Sequence, residues 1–443
     1  MPADMFHLLR ADRYRCWQVR SLRSMVTARS ERNRADLPLL SVARERGVFV
    51  RSAEDDNHNA IPEDLSNYKV ARQGDLVINK MKAWQGSLGI APVDGIVSPA
   101  YFVFRAAFDV PRFSEYLLRS KPYVAKFAAA SDGIRVGQWD LNVGRMRNIE
   151  VLLPPPGEQA AIVKYLAHAN ARINKAIAAK RRLIALLQEH SIVELEGIVH
   201  GHKGENVSIG QSSRLVQTGP FGSQLHAEEY VEGGVPVINP SHLVNGRIEP
   251  DVQVSVTEQK AVELERHQLR EGDVVIARRG DLGRCSVVGP DAQKYLCGTG
   301  SLLIRLRSEE WDSDYFQMLF SSKRTKDELE LGSIGSTMAN LNASQVSRLR
   351  LKRPSLIDQR AAVKRVTEIQ SKLGLQRKLV LREIALLQEF RTRLVADVVT
   401  GQVDVRGVAA TLPDVVEVGA DAADKDLPVL DEELVDVVEG DDV

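Results

Sequence analysis

The sequence predicts a mixed α/β (α+β) protein in which two α/β domains are separated by two long helices pairing as an antiparallel coiled coil. Three observations predict it. The hexapeptide Ile184-Ala185-Leu186-Leu187-Gln188-Glu189 returns unchanged as Ile384-Ala385-Leu386-Leu387-Gln388-Glu389. Two segments of roughly 40 residues each carry a single apolar stripe at helical spacing. The stretches before them alternate short apolar, β-rich runs with Gly, Pro, Asn and Asp.

The elements follow in order. Residues 1–155 form the first domain, with strands expected at Val48-Phe49-Val50, Leu76-Val77-Ile78 and Tyr101-Phe102-Val103-Phe104. A helical stretch is expected near 112–129. Leu153-Pro154-Pro155-Pro156-Gly157 then marks a hard helix start, because proline suits the first turn and resists the interior. The helix occupies 156–200, with Ile162, Leu166, Ile173, Ile177, Ile184, Leu187, Leu195 and Ile198 on one face. Gly201 is the expected stop.

Residues 201–353 form the second domain, with strands at Val235-Pro236-Val237-Ile238, Val274-Val275-Ile276 and Leu302-Leu303-Ile304 and a helical stretch near 312–330. The second long helix and its end fill 354–407, with a stripe through Val363, Val366, Ile369, Leu373, Val380, Ile384, Leu387, Leu394 and Val398. Each long helix measures about 60 Å at ~1.5 Å per residue. One stripe over that length suits helix pairing better than a lone helix.

The repeat reaches beyond the helices. Gln159 matches Gln359 and Leu141-Asn142 matches Leu341-Asn342, all displaced by 200, while Gly74-Asp75 returns as Gly272-Asp273, displaced by 198. A two-fold arrangement within one chain suits a ligand with two similar halves, and duplex DNA is the commonest.

The formal net charge of zero hides a separation. Residues 411–443 hold twelve Asp or Glu and one Lys, a net of −11, so residues 1–410 carry +11. A basic body is compatible with a polyanion partner. The acidic tail, 408–443, is expected to be disordered and solvated. Hydrophobic content of 44% and charged content of 27% are those of a soluble globular chain. No membrane helix or signal peptide is expected, and Cys16, Cys285 and Cys297 suit a reducing cytoplasm rather than a disulfide framework.

At this point the motifs resemble a known family. They are Leu153-Pro154-Pro155-Pro156-Gly157-Glu158-Gln159, Leu341-Asn342 with Asp358-Gln359, and the closing Val398-Val399-Thr400-Gly401-Gln402-Val403-Asp404-Val405-Arg406-Gly407. Inside the domains Gly74-Asp75-Leu76-Val77-Ile78-Asn79-Lys80-Met81 and Thr218-Gly219-Pro220-Phe221-Gly222 add to them. In this order they resemble the specificity (S) subunit of type I restriction-modification systems, over residues from about 14 to 407. The interiors of the two domains share little identity and look like different types of target-recognition domain.

The resemblance implies a non-catalytic reader of double-stranded DNA. Each target-recognition domain would bind one half of a gapped, two-part sequence. The paired helices would set the gap and dock two modification subunits. Those partners would carry S-adenosylmethionine and methylate adenine N6. Restriction subunits, using ATP and Mg²⁺, could join. No cofactor is expected on this chain.

Base readers should be polar or basic side chains on loops. Lys80, Lys82, Trp84 and Gln85 follow an expected strand in the first domain. They could read bases and phosphates, or Trp84 could be core with the lysines solvated, and the residues leave both open. Arg278, Arg279 and Arg284 surround two glycines after the corresponding strand of the second domain, where a plain hairpin with exposed arginines is the alternative. Ser223, Gln224 and His226 follow Gly222 in an expected tight turn. Arg135 with Gln138, and Ser336 with Thr337, sit before the two Leu-Asn pairs. Asn142 and Asn342 themselves are expected to be structural, capping a turn or strand end.

Enzyme chemistry finds weak support. Leu153-Pro154-Pro155-Pro156 lacks the polar residue and the aromatic that grip a flipped adenine. No nucleotide-binding glycine loop is present. Asp251, Glu258 and Lys260 superficially match a metal nuclease, but too little chain separates them. His200 and His202 are expected to be solvated neighbours at a helix end. A scaffold built on the coiled coil is the third reading, and it leaves unlike loops on like frames unexplained.

Overall fold

A computed structural model describes residues 16–44, 46–52, 64–133, 139–332 and 341–414. The chain divides into two compact units, Met1–Arg182 with Val380–Val443, and Leu183–Leu379. The long helices run Pro156–Gly201 and Leu356–Val399. Each unit therefore holds one α/β domain, the start of one long helix and the end of the other.

Both domains are built on one frame. In the first unit a four-stranded antiparallel sheet has the order Val26–Ala28, Tyr101–Ala106, Leu76–Asn79, Leu88–Ile90. In the second the order is Ser213–Thr218, Ser301–Leu306, Val274–Ala277, Cys285–Val287. The register matches as well: Leu76 faces Phe104 where Val274 faces Ile304, and Asn79 faces Tyr101 where Ala277 faces Ser301. A separate two-stranded ladder also repeats, Gln18–Ser21 with Glu150–Leu153 and Glu205–Ser208 with Arg350–Arg353. All six strands read from sequence are present.

Outside the frame the domains differ. The first adds the hairpin Leu40–Ala43 with Gly47–Val50 and the pair Lys69–Ala71 with Gly95–Val97. The second adds Val235–Ile238, antiparallel to Ser255–Val256 and parallel to Leu296–Cys297.

The cores explain the stripes. In the first unit Ile162 and Leu166 pack with Leu76, Ile78 and Phe104 of the sheet and with Val398 and Val399. In the second, Ile198 and Val199 pack with Val274, Ile304, Ala362 and Val366. Each fully buried Val, Leu, Ile or Phe among them contributes about 1.5–3 kcal/mol. Within the first unit Arg391 reaches Asn174 at 3.2 Å, and Lys180 pairs with Glu383. The index rises on one helix as it falls on the other, so the helices run antiparallel.

Both expected helical stretches are present, each divided into two helices, and two other expectations need correction. Ser120 is extended (ψ 148°) between Pro111–Arg119 and Lys121–Ala129, because Pro122 has no N–H to donate to Leu118 O and is tolerated only in the first turn of a new helix. The second stretch divides into Ser313–Phe320 and Lys323–Gly332. Gly201 does not stop the first long helix but is its last residue. His200 is not solvated: its Nε2 lies 3.0 Å from Ser322 Oγ and 3.3 Å from Glu196, and burial lowers its pKa.

Among the described residues no helix is long and apolar enough to cross a membrane. The cysteines are free, and burial pushes the Cys285 and Cys297 thiols up to about 12.

Candidate nucleic-acid interface

The central strand of each sheet ends at a turn, and those two turns carry the basic residues singled out above. In the first unit the Asn79 side chain accepts from the backbone amides of Met81 (3.1 Å) and Lys82 (3.3 Å), a local bond that competes with the strand ladder and bends the chain. Ala83–Gln85 then makes one 3₁₀ turn, and Gly86 closes it at φ +86°.

Trp84 is half-buried. Its Nε1 donates to Met81 O at 3.1 Å, and its ring lies 5.2 Å from that of Trp139 at 54°. Lys80 is paired with Asp140 at 2.6 Å, and the amide of Leu141 donates to the Lys80 carbonyl at 3.0 Å. Lys82 is exposed and Gln85 half-buried. Burial, then the charges of Arg32 and Lys80, hold the neighbouring Lys69 below the usual lysine range.

The second unit repeats the turn with other side chains. The amide of Leu341 donates to the Arg278 carbonyl at 2.9 Å, as Leu141 does to Lys80. Arg278 Nε donates to Leu341 O at 3.2 Å and its Nη1 to Thr299 O at 3.4 Å. Burial and then the charge of Arg279 lower its pKa. Arg279 is exposed. Arg284, also exposed, lies 3.6 Å from Asp281 and reaches Pro240 O at 3.4 Å. The Arg278–Arg284 loop is thus a hairpin between paired strands.

Gly222–Gln224 is a 3₁₀ turn in which Gln224 is half-buried. His226 is exposed and precedes the turn Ala227–Glu229, its amide donating to Glu229 at 2.7 Å. The side chain of Ser223 lies outside the described residues, as do Arg135, Gln138, Ser336 and Thr337 entirely. Asn142 and Asn342 are helix caps, accepting from Arg145 N (3.1 Å) and Gln345 N (2.9 Å).

Sequence reasoning missed Trp139 and Asp140. A signal existed, since the chain has four tryptophans and Trp139 stands three residues before the repeated Asn142. The nuclease residues do not converge. Asp251 accepts from the amide of Gln253 at 2.9 Å, and Lys260 is paired with Glu229 at 2.8 Å and Glu263 at 3.2 Å. Among the described residues no acidic, His or Cys group is placed to hold a metal.

Comparison with known proteins gives the class. Residues 216–382 match the family described as the type I restriction modification DNA specificity domain. The fold of the chain is similar to a solved chain from work on complex assembly and conformational transition of the type I R-M system. The TM-score is 0.61 and the identity 17%, over 87% of this chain and 98% of that one. It is also similar to the HsdS subunit of Thermoanaerobacter tengcongensis, with TM-score 0.51 and identity 17%, over 88% of this chain and 97% of that one. Over residues 216–382 the chain is therefore similar to a type I restriction-modification DNA specificity domain. It has the two-domain, two-helix fold of HsdS subunits.

Proposed function

We propose that this chain is the specificity subunit of a type I restriction-modification complex. It reads a gapped, two-part target in double-stranded DNA, one domain per half-site. It docks two modification subunits through its paired helices. Those partners bring S-adenosylmethionine and methylate adenine N6; ATP and Mg²⁺ enter only if a restriction subunit joins them. This chain contributes recognition and no catalysis, and it acts in the cytoplasm.

One observation carries the reading. The same sheet is built twice in the same register, yet its central strand ends in Asn79-Lys80-Met81-Lys82 in one unit and Ala277-Arg278-Arg279-Gly280 in the other. A shared frame presenting unlike polar groups suits two unlike half-sites, since base edges are distinguished by donor and acceptor pattern. The excess of eleven positive charges before residue 411 supports a phosphate-bound partner.

The test is modified-base sequencing of the native genome with the gene intact and deleted. Loss of N6-methyladenine from one gapped, two-part motif is the expected result. Unchanged methylation, with the modification subunit expressed, would refute the proposal and favour a scaffold.

A further inference from the structure

In each unit the first basic residue of the turn is half-buried and ties two segments together. Lys80 pairs with Asp140 at 2.6 Å while its carbonyl accepts from Leu141 at 3.0 Å. Trp84 lies against Trp139 and donates to Met81. Arg278 donates to Leu341 O at 3.2 Å while its carbonyl accepts from Leu341 N at 2.9 Å. Unlike side chains thus perform one task. They fix the end of the central strand against the segment that enters the helix capped by Asn142 or Asn342. Just beyond them, Lys82 and Arg279 are exposed.

We propose that Lys80 with Asp140, Trp84 with Trp139, and Arg278 with the carbonyl of Leu341 are clasps that position the recognition turns, and that Lys82 and Arg279 meet the DNA. This rests on the DNA-reading proposal above. A lysine already neutralised by a carboxylate at 2.6 Å offers little net charge to a phosphate. Base contact, in contrast, depends on placing donors to within a fraction of an ångström. Asp140 and Trp139 are positioning residues in this scheme, acting through Lys80 and Trp84.

The experiment measures binding of the full chain, co-purified with its modification subunits, to two duplexes over a range of salt. One duplex carries the genomic motif and the other has the first domain's half-site scrambled. The Lys80–Asp140 pair is 42% and 49% exposed, so breaking it costs little stability and the variants remain folded. Asp140→Asn and Lys80→Met should each weaken binding to the motif roughly tenfold, the size of one displaced base contact. The double variant should be no worse than either single one. Binding to the scrambled duplex, and the salt slope of Lys80→Met, should not change. Trp139→Ala should behave likewise and Trp139→Phe should restore binding. Lys82→Met should instead weaken both duplexes and lower the salt slope by about one.

A direct phosphate contact by Lys80 predicts the opposite sign for its partner. Removing the Asp140 charge would then tighten binding to both duplexes, and Lys80→Met would lower the slope. Either result overturns the clasp. If the unsubstituted complex shows no preference between the duplexes, the DNA-reading proposal falls and the clasp with it. A preserved preference with a neutral Asp140→Asn overturns the clasp alone.

Discussion

Arg305 donates two parallel hydrogen bonds to Asp273, from Nε at 2.8 Å and Nη2 at 2.7 Å, and so neutralises a carboxylate that is 2% exposed. Asp75 repeats that buried carboxylate in the other unit, but its fork comes from Arg29, at 2.5 and 3.1 Å. Arg105, at the position of Arg305, is exposed there. Gln217, at the position of Arg29, binds His267 Nδ1 at 2.8 Å instead. Each aspartate also closes its own turn by accepting from Arg72 N or Arg270 N. The anion is retained in both units while its cation has moved to another strand.

Arg305→Met should therefore destabilise the second unit by about 3–5 kcal/mol, because it leaves a buried charge without its partner. Arg105→Met, on an exposed side chain, should cost under about 0.5 kcal/mol. Chemical denaturation of both variants checks the contrast. Equal losses would show that the fork is not what holds Asp273.

Gln359 is fully buried at the start of the second long helix. Its Nε2 donates to Pro354 O (2.9 Å) and Glu310 O (3.0 Å), and its Oε1 accepts from Asp312 N (2.8 Å). Gln359→Ala orphans those groups and should cost about 1–3 kcal/mol. Gln159 makes the equivalent bond to Pro154 O at 2.8 Å. Gln159→Ala should be milder if the number of bonds sets the loss, which paired melting curves will measure.

Gly86 lies at φ +86°, and a Cβ there would stand 2.9 Å from Val124 Cγ2. Gly86→Ala combines that contact with roughly 1–2 kcal/mol of left-handed strain. Gly74 has a similar φ with nothing within 4 Å of the added carbon, so Gly74→Ala carries strain alone. The difference between the two melting shifts isolates the contact. DNA binding should fall more for Gly86→Ala, which lies in the basic turn.

His267 is 2% exposed, and burial followed by the charge of Arg266 lowers its pKa. His200 is lowered by burial too, against the opposing charge of Glu196. The unfolded chain takes up these protons near pH 6.5 while the folded chain resists them. The stability they confer is present above about pH 6.5 and is lost as pH falls through the lowered folded values. Denaturation midpoints of the second unit should drop between about pH 7.5 and 5.5, and the drop should shrink in a His200→Gln, His267→Gln variant. An undiminished drop in that variant would assign the acid sensitivity elsewhere.

Inserting seven residues, about two helical turns, at matched points of both long helices near 175–190 and 375–390 keeps their apolar faces nearly in register. If the helices set the spacing of the half-sites, the methylated motif should keep both half-sites and lengthen its gap. A shorter insertion turns the helix by about 100° per residue and tests facing rather than length. Modified-base sequencing reads the outcome. A constant gap with altered half-sites would refute the ruler.

The sequence by itself determined the frame. Apolar spacing of three and four gave both long helices, since a stripe that must face a partner cannot hide its period. The six β-rich runs gave their strands, because β-branched residues between Gly, Pro and Asp leave few other folds. Asn142 and Asn342 were legible as capping residues, but of a turn or strand end rather than of the helices they begin. His200 was not legible, because its hydrogen-bond partner, Ser322, is 122 positions away. The break at Ser120 was legible in principle from Pro122, but the apolar period runs through it unbroken.

Only the tertiary structure decided which basic residues in each turn are committed to the protein. Lys80 and Lys82 look alike in sequence, as do Arg278 and Arg279. Lys80 meets a carboxylate 60 residues away and Arg278 a carbonyl 63 residues away, while Lys82 and Arg279 stay exposed. Charge is a property of the residue and can be counted along the chain. Whether that charge is already neutralised depends on a neighbour brought close by folding, and local sequence carries no record of that distance.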